Sequence, residues 1–445
     1  MSRLESRAVG ELQRLRREGV IEWVLIALGL VVSFAALPHR LENDGAERFA
    51  GIEALLHHGT LADNKWSLVM PLLSAPFLLL GQVVVSPEWW AVRFNTIVVG
   101  LAALTAFRLL GAGRDRVLLR KALLVLVGAS FLTSGLRGYE VAISTGALVS
   151  VGVLALWRGR RVLGWTLLVI ATVNIPGSII GLALIAGVEA VRARRLRCAA
   201  PVVVAGALIM AESWIRRGSP LDTGYGGDHG FHTVMPYSGL PGYSYPLLYG
   251  LLSICFSFGR GLLFYIPGLA LIGGAQTRAL LGRYRLPVGL MFAYLVGLIA
   301  IYATWWSWYG GAAWGPRFFI IGAVPASVLI ALRLEGAGRS AATDAVTLLV
   351  LTVSSWVAIV GAVGVATPDI CADHDYALEA LCWYTPEFSN VTAPLTHFPP
   401  LGVGGAVVVA YCALVFLWLA VPLARSLARR RPPLAPDRWL AGWRL

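Results

Sequence analysis

Apolar runs close to the length that crosses a bilayer recur along the whole chain, and short arginine-rich stretches separate many of them. A transmembrane helix needs about 20 consecutive apolar residues. The runs lie at 20–37, 66–86, 90–111, 119–137, 139–157, 161–175, 176–192, 198–216, 247–273, 286–304, 314–333, 344–365 and 401–424. They take up more than half of the 445 residues. Only 14% of the chain is charged, where a soluble domain carries about 25%. This excludes a soluble enzyme, a disordered protein, a disulfide scaffold and a nucleic-acid-binding protein. It predicts an all-α polytopic membrane protein with about twelve transmembrane helices.

The basic residues set the expected orientation. The net charge is +13, and arginine supplies every basic residue except Lys65 and Lys121. With so much Ala, Gly and Val, that ratio reads as a GC-rich coding sequence rather than a polyanion-binding surface. Clusters such as Arg158/Arg160/Arg161, Arg192/Arg194/Arg195/Arg197 and Arg278/Arg283/Arg285 sit in short loops, and both terminal segments are arginine-rich. Short basic loops stay cytoplasmic, so both termini are expected inside a plasma membrane. Stretches 38–65, 217–246, 305–313 and 366–400 then face outward, with all seven histidines in or beside them. Function is expected on that extracytoplasmic face.

Termini on one side require an even number of crossings. Either 66–86 lies in the outer leaflet without crossing, or 161–192 is not two full spans. Pro176 in VNIPGS breaks a helical ladder and favours the second option. The first 20 residues are charged and no small-residue cleavage site follows, so they read as an amphipathic lead-in rather than a signal peptide. Residues 1–335 form one expected module with outer loops 38–65, 217–246 and 305–313. Residues 336–445 add C-terminal helices and loop 366–400. No internal repeat is visible, so the repeat architecture of many transporters has no support.

Several constellations can carry chemistry. Asp44 stands at the mouth of the first span, before a surface helix on which Phe49, Ile52 and Leu56 recur at helical spacing. That face is expected to lie on the membrane interface. Glu42 and Arg48 flank Asp44 as cavity candidates. A carboxylate at this boundary can act as general base on an incoming hydroxyl; equally, Asp44-Gly-Ala-Glu47 fits a capping box. Arg137-Gly-Tyr-Glu140 places an acid and a base together between two spans. They either form an internal ion pair or present Glu140 to the cavity of Asp44. Arg260, inside the apolar stretch SFGRGLLFYIPG, and Arg317, in TWWSWYGGAAWGPRFF, enter the membrane with no carboxylate close by in sequence. A buried guanidinium seeks a carboxylate or phosphate that it can grip through two parallel bonds. Trp308 and Tyr309 stand beside Arg317 as further cavity candidates.

Two outer stretches carry weaker signals. In DTGYGGDHGFH, His229 and His232 are further cavity candidates; with Asp222 or Asp228 they also have metal-ligand chemistry, but a Gly-rich loop gives them no fixed geometry, so no metal is expected there. Cys371 and Cys382 are close enough in sequence for a disulfide on the oxidising side. Cys198, Cys255 and Cys412 read as ordinary buried thiols. Asn390-Val-Thr392 matches a glycosylation sequon that matters only in a eukaryotic secretory host.

The acidic residue after the first span, the helix behind it, the second acidic residue and the phrases GRGLLFYIPG and WWSWYGGAAWGPRFF together resemble the GT-C superfamily of membrane glycosyltransferases. The resemblance covers residues 20 to about 335 and is strongest to the bacterial polyprenyl-phosphate-sugar transferases related to protein mannosyltransferases. It implies a polyprenyl-phosphate sugar donor and an envelope acceptor, whether polysaccharide, glycolipid or protein, with inversion at the anomeric carbon. By position, Asp44 matches the catalytic acid of the first loop and Glu140 the second acidic position, where members often have Asp. Arg260 and Arg317 match the basic positions near the lipid phosphate. No cofactor is required if arginine neutralises the leaving phosphate, although some members use a divalent metal. The competing readings are a transporter or flippase for a lipid-linked or anionic solute, and a silent partner with the same fold. A transporter predicts charged groups at the bilayer midplane; a silent partner would lack the acid at Asp44.

Overall fold

The computed structural model describes residues 3–226, 231–311, 313–338, 340–364, 369–371 and 375–429, with side chains from Arg17 onward. Among them every regular element is helical. The principal helices are α1 (Arg3–Ala35), α2 (Asn43–His58), α3 (Val69–Gly81), α4 (Pro87–Leu109), α5 (Arg114–Gly128), α6 (Val141–Trp157), α7 (Arg161–Asn174) and α8 (Ile179–Ala193). They continue as α9 (Ala200–Arg217), α10 (Leu247–Phe256), α11 (Arg285–Tyr302), α12 (Ala323–Glu335), α13 (Ala341–Val363), α14 (Glu379–Tyr384) and α15 (Val403–Arg429). Lipid offers the backbone no hydrogen-bond partner, so each apolar run must satisfy its own amides as helix. Among the described residues eight helical stretches are long and apolar enough to cross a membrane. This is a multi-pass membrane protein.

The bundle has two distinct ends. At one, arginines close onto carboxylates: Asp115 accepts from Arg158 at 2.6 Å, from the Tyr284 hydroxyl at 2.7 Å and from Arg283. Arg120 pairs with Glu22 at 2.6 Å, and Arg114 with Glu335 at 3.0 Å. At the other end lie the long loops, Asp44 and Arg317. Helices α1, α4 to α9, α11, α13 and α15 each run between the ends, as do the stretches 247–273 and Arg317–Glu335. Traced this way, the described residues make about twelve passages. Where passages cross closely, side chains are absent: a Cβ on Gly297 would collide with the backbone of Gly181, so α11 and α8 meet backbone to backbone.

The structure reverses the expected solution to the even-number problem. The 161–192 stretch is two helices, because Pro176 opens a 3-10 turn (Pro176–Ser178) that turns the chain back on itself rather than kinking it. Asn174 holds this reversal by donating to Ser144 at 3.1 Å and Thr145 at 3.0 Å. The 66–86 stretch does not cross. Only Val69–Gly81 is helical; the Met70 amide donates to the Asn174 side chain at 3.0 Å, Ser74 bonds the Tyr139 hydroxyl, and a Cβ on Gly81 would meet Pro87. All of these groups belong to the loop end. Helix α2 lies there too, but its Phe49 and Ile52 are buried with Met70, Leu78, Phe94 and Tyr139 in a satellite core rather than facing lipid. The 247–273 stretch is also interrupted, between Phe256 and Leu262.

Candidate functional site

A polar cavity of about 240 Å³ opens at the loop end, bounded by α2, the start of α6, the α7–α8 reversal, the end of α9 and the 302–318 turn. Five cations line it (Arg48, Lys65, Arg216, Arg217 and Arg317) against three carboxylates (Asp44, Glu140 and Glu212). An enclosed surplus of positive charge favours an anionic ligand.

Asp44 lies in the first turn of α2, and it does not cap the helix. The N-cap is Glu42, with no side-chain capping bond. The Asp44 carboxylate instead accepts from Arg317 at 2.8 Å, with Arg48, one turn on, at 4.0 Å. Burial pushes Arg48 below the usual guanidinium range, and Asp44 and Glu140 oppose that shift. Arg317 begins its passage directly after Gly315 and Pro316, which carry the chain out of the 302–314 turn; its Nε is buried without a partner among the described residues.

Glu140 sits at the N-cap of α6 and makes no capping bond. Among the described residues it forms no ion pair with Arg137, whose Nε donates to the Pro38 carbonyl at 3.3 Å. A second polar cavity, about 280 Å³, is lined by Arg40, Glu42, Asn43, Arg137 and Trp314, together with Glu140 and Arg317. Glu140 and Arg317 therefore stand between two cavities, while Asp44 lines only the first. A third, apolar cavity of about 140 Å³ lies among α4, α5, α6, α11 and α12. It shares Ala142 with the first cavity and Ile320 with the second, and reaches Asp115 at the far end.

Sequence reasoning missed several residues that build this site. Arg216, at the end of α9, donates to Glu212 at 2.8 Å and to the carbonyls of Ala62 and Trp66. It thereby clamps the loop that presents Lys65 and Trp66. Glu212 also accepts from the Leu68 amide at 2.9 Å. Read along the chain, Arg216 looks like another helix-end cation, and only the return of loop 59–68 gives it partners. Asn174 had a legible signal: an amide side chain in an apolar run beside Ile-Pro.

Other expected residues lie elsewhere. Arg260 lines neither polar cavity; it is buried and donates to the carbonyls of Gly259 and Gly311, both at 3.1 Å. Trp308 and Tyr309 also turn away from the first cavity, which receives Trp305 and Trp306 instead. Tyr309 stacks on Trp383 at 4.0 Å, and Trp308 meets the same ring at 5.5 Å. The reason is the last loop, which folds over this turn and presents α14 to it. There Glu379 is 3% exposed, and burial pushes its carboxyl up to about 7 against the opposing pull of Arg260 and Tyr309. Cys371 and Cys382 close this loop as a disulfide with Cα atoms 5.9 Å apart, and Cys198, Cys255 and Cys412 are free thiols. His229 lies outside the described residues, and His232 is exposed and lines no cavity described above. Among the described residues no three metal-ligating side chains gather.

No family model matches the sequence, and no curated protein matches it. Two solved structures share its fold. ArnT from Cupriavidus metallidurans in the apo state is 16% identical over 92% of this chain and 78% of that one, with a TM-score of 0.50. ArnT from the same organism bound to undecaprenyl phosphate is 13% identical over 91% and 77%, with a TM-score of 0.51. The chain has the GT-C-like fold that its sequence resembles.

Proposed function

We propose that this chain is an inverting glycosyltransferase that moves a sugar from a polyprenyl-phosphate donor to an envelope acceptor on the extracytoplasmic face. One observation carries the reading: Asp44 and Arg317 meet at 2.8 Å on the wall of a cation-rich cavity that adjoins an apolar one. The undecaprenyl phosphate held by the ArnT structure of like fold supports the donor class. The phosphate would sit on Arg317, with Arg48 and Lys65 nearby, and the first isoprene units in the apolar cavity. The acceptor oxygen attacks the anomeric carbon as the bond to the phosphate oxygen breaks. The bond's electron pair leaves with the polyprenyl phosphate, and the acceptor's proton passes to Asp44. Arginine donors already in place stabilise the charge growing on the leaving oxygen. Glu140, between the two polar cavities, would orient the acceptor hydroxyl.

A transporter would want charged groups half-way along the bundle. The charged lining of the cavities described here instead gathers at the two ends, with an apolar cavity between them. The test is to incubate the purified protein with decaprenyl-phosphoryl sugars, including mannose and arabinofuranose, and an envelope glycan fraction. Wild-type protein should transfer label and release decaprenyl phosphate. Transfer by Asp44→Ala at the wild-type rate would remove Asp44 from the mechanism.

A further inference from the structure

We infer that Tyr225 and Tyr243, with Trp66 and Trp305, form a sugar-binding wall of the polar cavity, on which the pyranose or furanose ring of the donor packs. The inference rests on the donor class proposed above and deepens it by naming the residues that hold the donor's sugar. Four rings run along one side of the cavity. Trp66 meets Tyr225 edge to face at 6.2 Å, Tyr225 meets Trp305 at 5.2 Å, and Trp305 meets Tyr243 at 4.8 Å. All four line the cavity. Trp305 is the buried hub, whereas Tyr243 is 55% exposed and leaves ring surface open. The backbone permits this closure at one point: Gly224 has φ +71°, and a Cβ there would sit 2.9 Å from the Lys65 Cα. Glycine adopts that conformation without cost, so the loop can press onto Lys65 and Trp66 and seat Tyr225.

Two further features point to a sugar phosphate rather than another aromatic-seeking ligand. The Lys65 ammonium lies 5.1 Å from the ring centroids of both Trp66 and Tyr225, and the Arg48 guanidinium lies 4.5 Å over Trp66. Cations that suit a phosphate are thus within one ring's width of the wall. The indole N–H groups of Trp66 and Trp306 are buried without an acceptor among the described residues, and both side chains line the cavity. A sugar has an apolar C–H face to lie on the rings and hydroxyls to accept from such donors, the mixture that small-ligand sites supply.

The test compares bare decaprenyl phosphate with decaprenyl-phosphoryl-mannose and decaprenyl-phosphoryl-arabinofuranose, by equilibrium binding to the purified full chain. Wild-type protein should bind at least one glycosylated lipid about tenfold tighter than the bare lipid. Tyr243→Ala should bring that ratio close to one while leaving bare-lipid affinity unchanged; Tyr225→Ala, which also removes a ring from Lys65, should lower the ratio as well. Tyr243→Phe, which keeps the ring, should preserve the ratio. Tyr243 is exposed, so its replacement leaves the fold intact even if Tyr225→Ala does not. A wild-type ratio of one, or an unchanged ratio in Tyr243→Ala, would overturn the sugar wall while the donor reading stands. Failure of the wild type to bind any of the three lipids would instead remove the donor reading itself.

Discussion

Arg317 donates to the carboxylate of Asp44 at 2.8 Å, although 273 positions separate them in the chain. The pair joins the group suited to accept a proton to the group suited to hold a phosphate. An arginine fork binds carboxylate and phosphate through the same geometry, so a lipid phosphate must compete with Asp44 for Arg317. Donor binding would then release the carboxylate for its role as base. The surrounding cavity, with more cations than carboxylates, favours that exchange.

Asp44→Asn should therefore act in two opposite directions. Loss of the general base should lower transfer by about 10²- to 10⁴-fold. Loss of the competing carboxylate should strengthen binding of bare decaprenyl phosphate by a few-fold, an order-of-magnitude expectation for removing one half-buried ion pair that the lipid would otherwise have to break. Transfer assays and equilibrium binding on the same preparation check both. Weaker lipid binding in this variant would mean that Asp44 does not restrain Arg317.

Arg317→Lys keeps the charge and removes the fork. Its affinity for decaprenyl phosphate should fall roughly tenfold, and that of Arg317→Ala about ten- to hundredfold, as expected for one to two hydrogen bonds to a charged group. A lysine variant with wild-type affinity would show that charge alone holds the lipid.

The fold class and both members of this pair were legible in the sequence, because apolar run length and a lone arginine at a membrane boundary are local signals. Direction along the bundle was not. Pro176 and the 66–86 stretch were each compatible with crossing or not crossing, and the choice depended on Asn174 bonding to Met70, Ser144 and Thr145. Asp44 fitted a capping box locally, but a distant arginine took its carboxylate. Arg260 and Arg317 looked alike for the same reason: an isolated guanidinium in an apolar run does not reveal which loop will cover it.

Glu379 gives the last loop a pH dependence. Its folded carboxyl titrates at about 7, above the ordinary value of 4.5, chiefly through burial. The unfolded chain therefore releases this proton first, so the group's contribution to stability is greatest below about pH 4.5 and is lost as pH rises towards 7. Wild-type protein should lose thermal stability between pH 5 and 8, and Glu379→Gln should flatten that slope and melt higher than wild type at pH 8. Differential scanning fluorimetry across this range measures it. Parallel curves for the two proteins would place the titration elsewhere.

Arg260 separates the expectation from sequence from its place in the structure. As a phosphate ligand, it would hold the donor directly. In the structure it donates to the Gly311 carbonyl at 3.1 Å, six residues before Arg317, while the Gly259 amide donates to the Trp383 carbonyl at 2.9 Å. These bonds tie Gly311 to the disulfide-closed last loop, and we propose that Arg260 positions Arg317 through them. Arg260→Met, close in length and able to stay buried, should lower the turnover of sugar transfer by about tenfold, since a displacement of about 1 Å at a reacting group can cost up to a hundredfold. Its affinity for bare decaprenyl phosphate should also fall, but by less than that of Arg317→Ala, because Arg317 remains to grip the phosphate from a displaced position. Turnover and lipid binding must be measured separately, and a large loss of binding with unchanged turnover would return Arg260 to the phosphate. Reducing the Cys371–Cys382 disulfide should move turnover and lipid binding in the same directions as Arg260→Met, because it loosens the same turn from the other side.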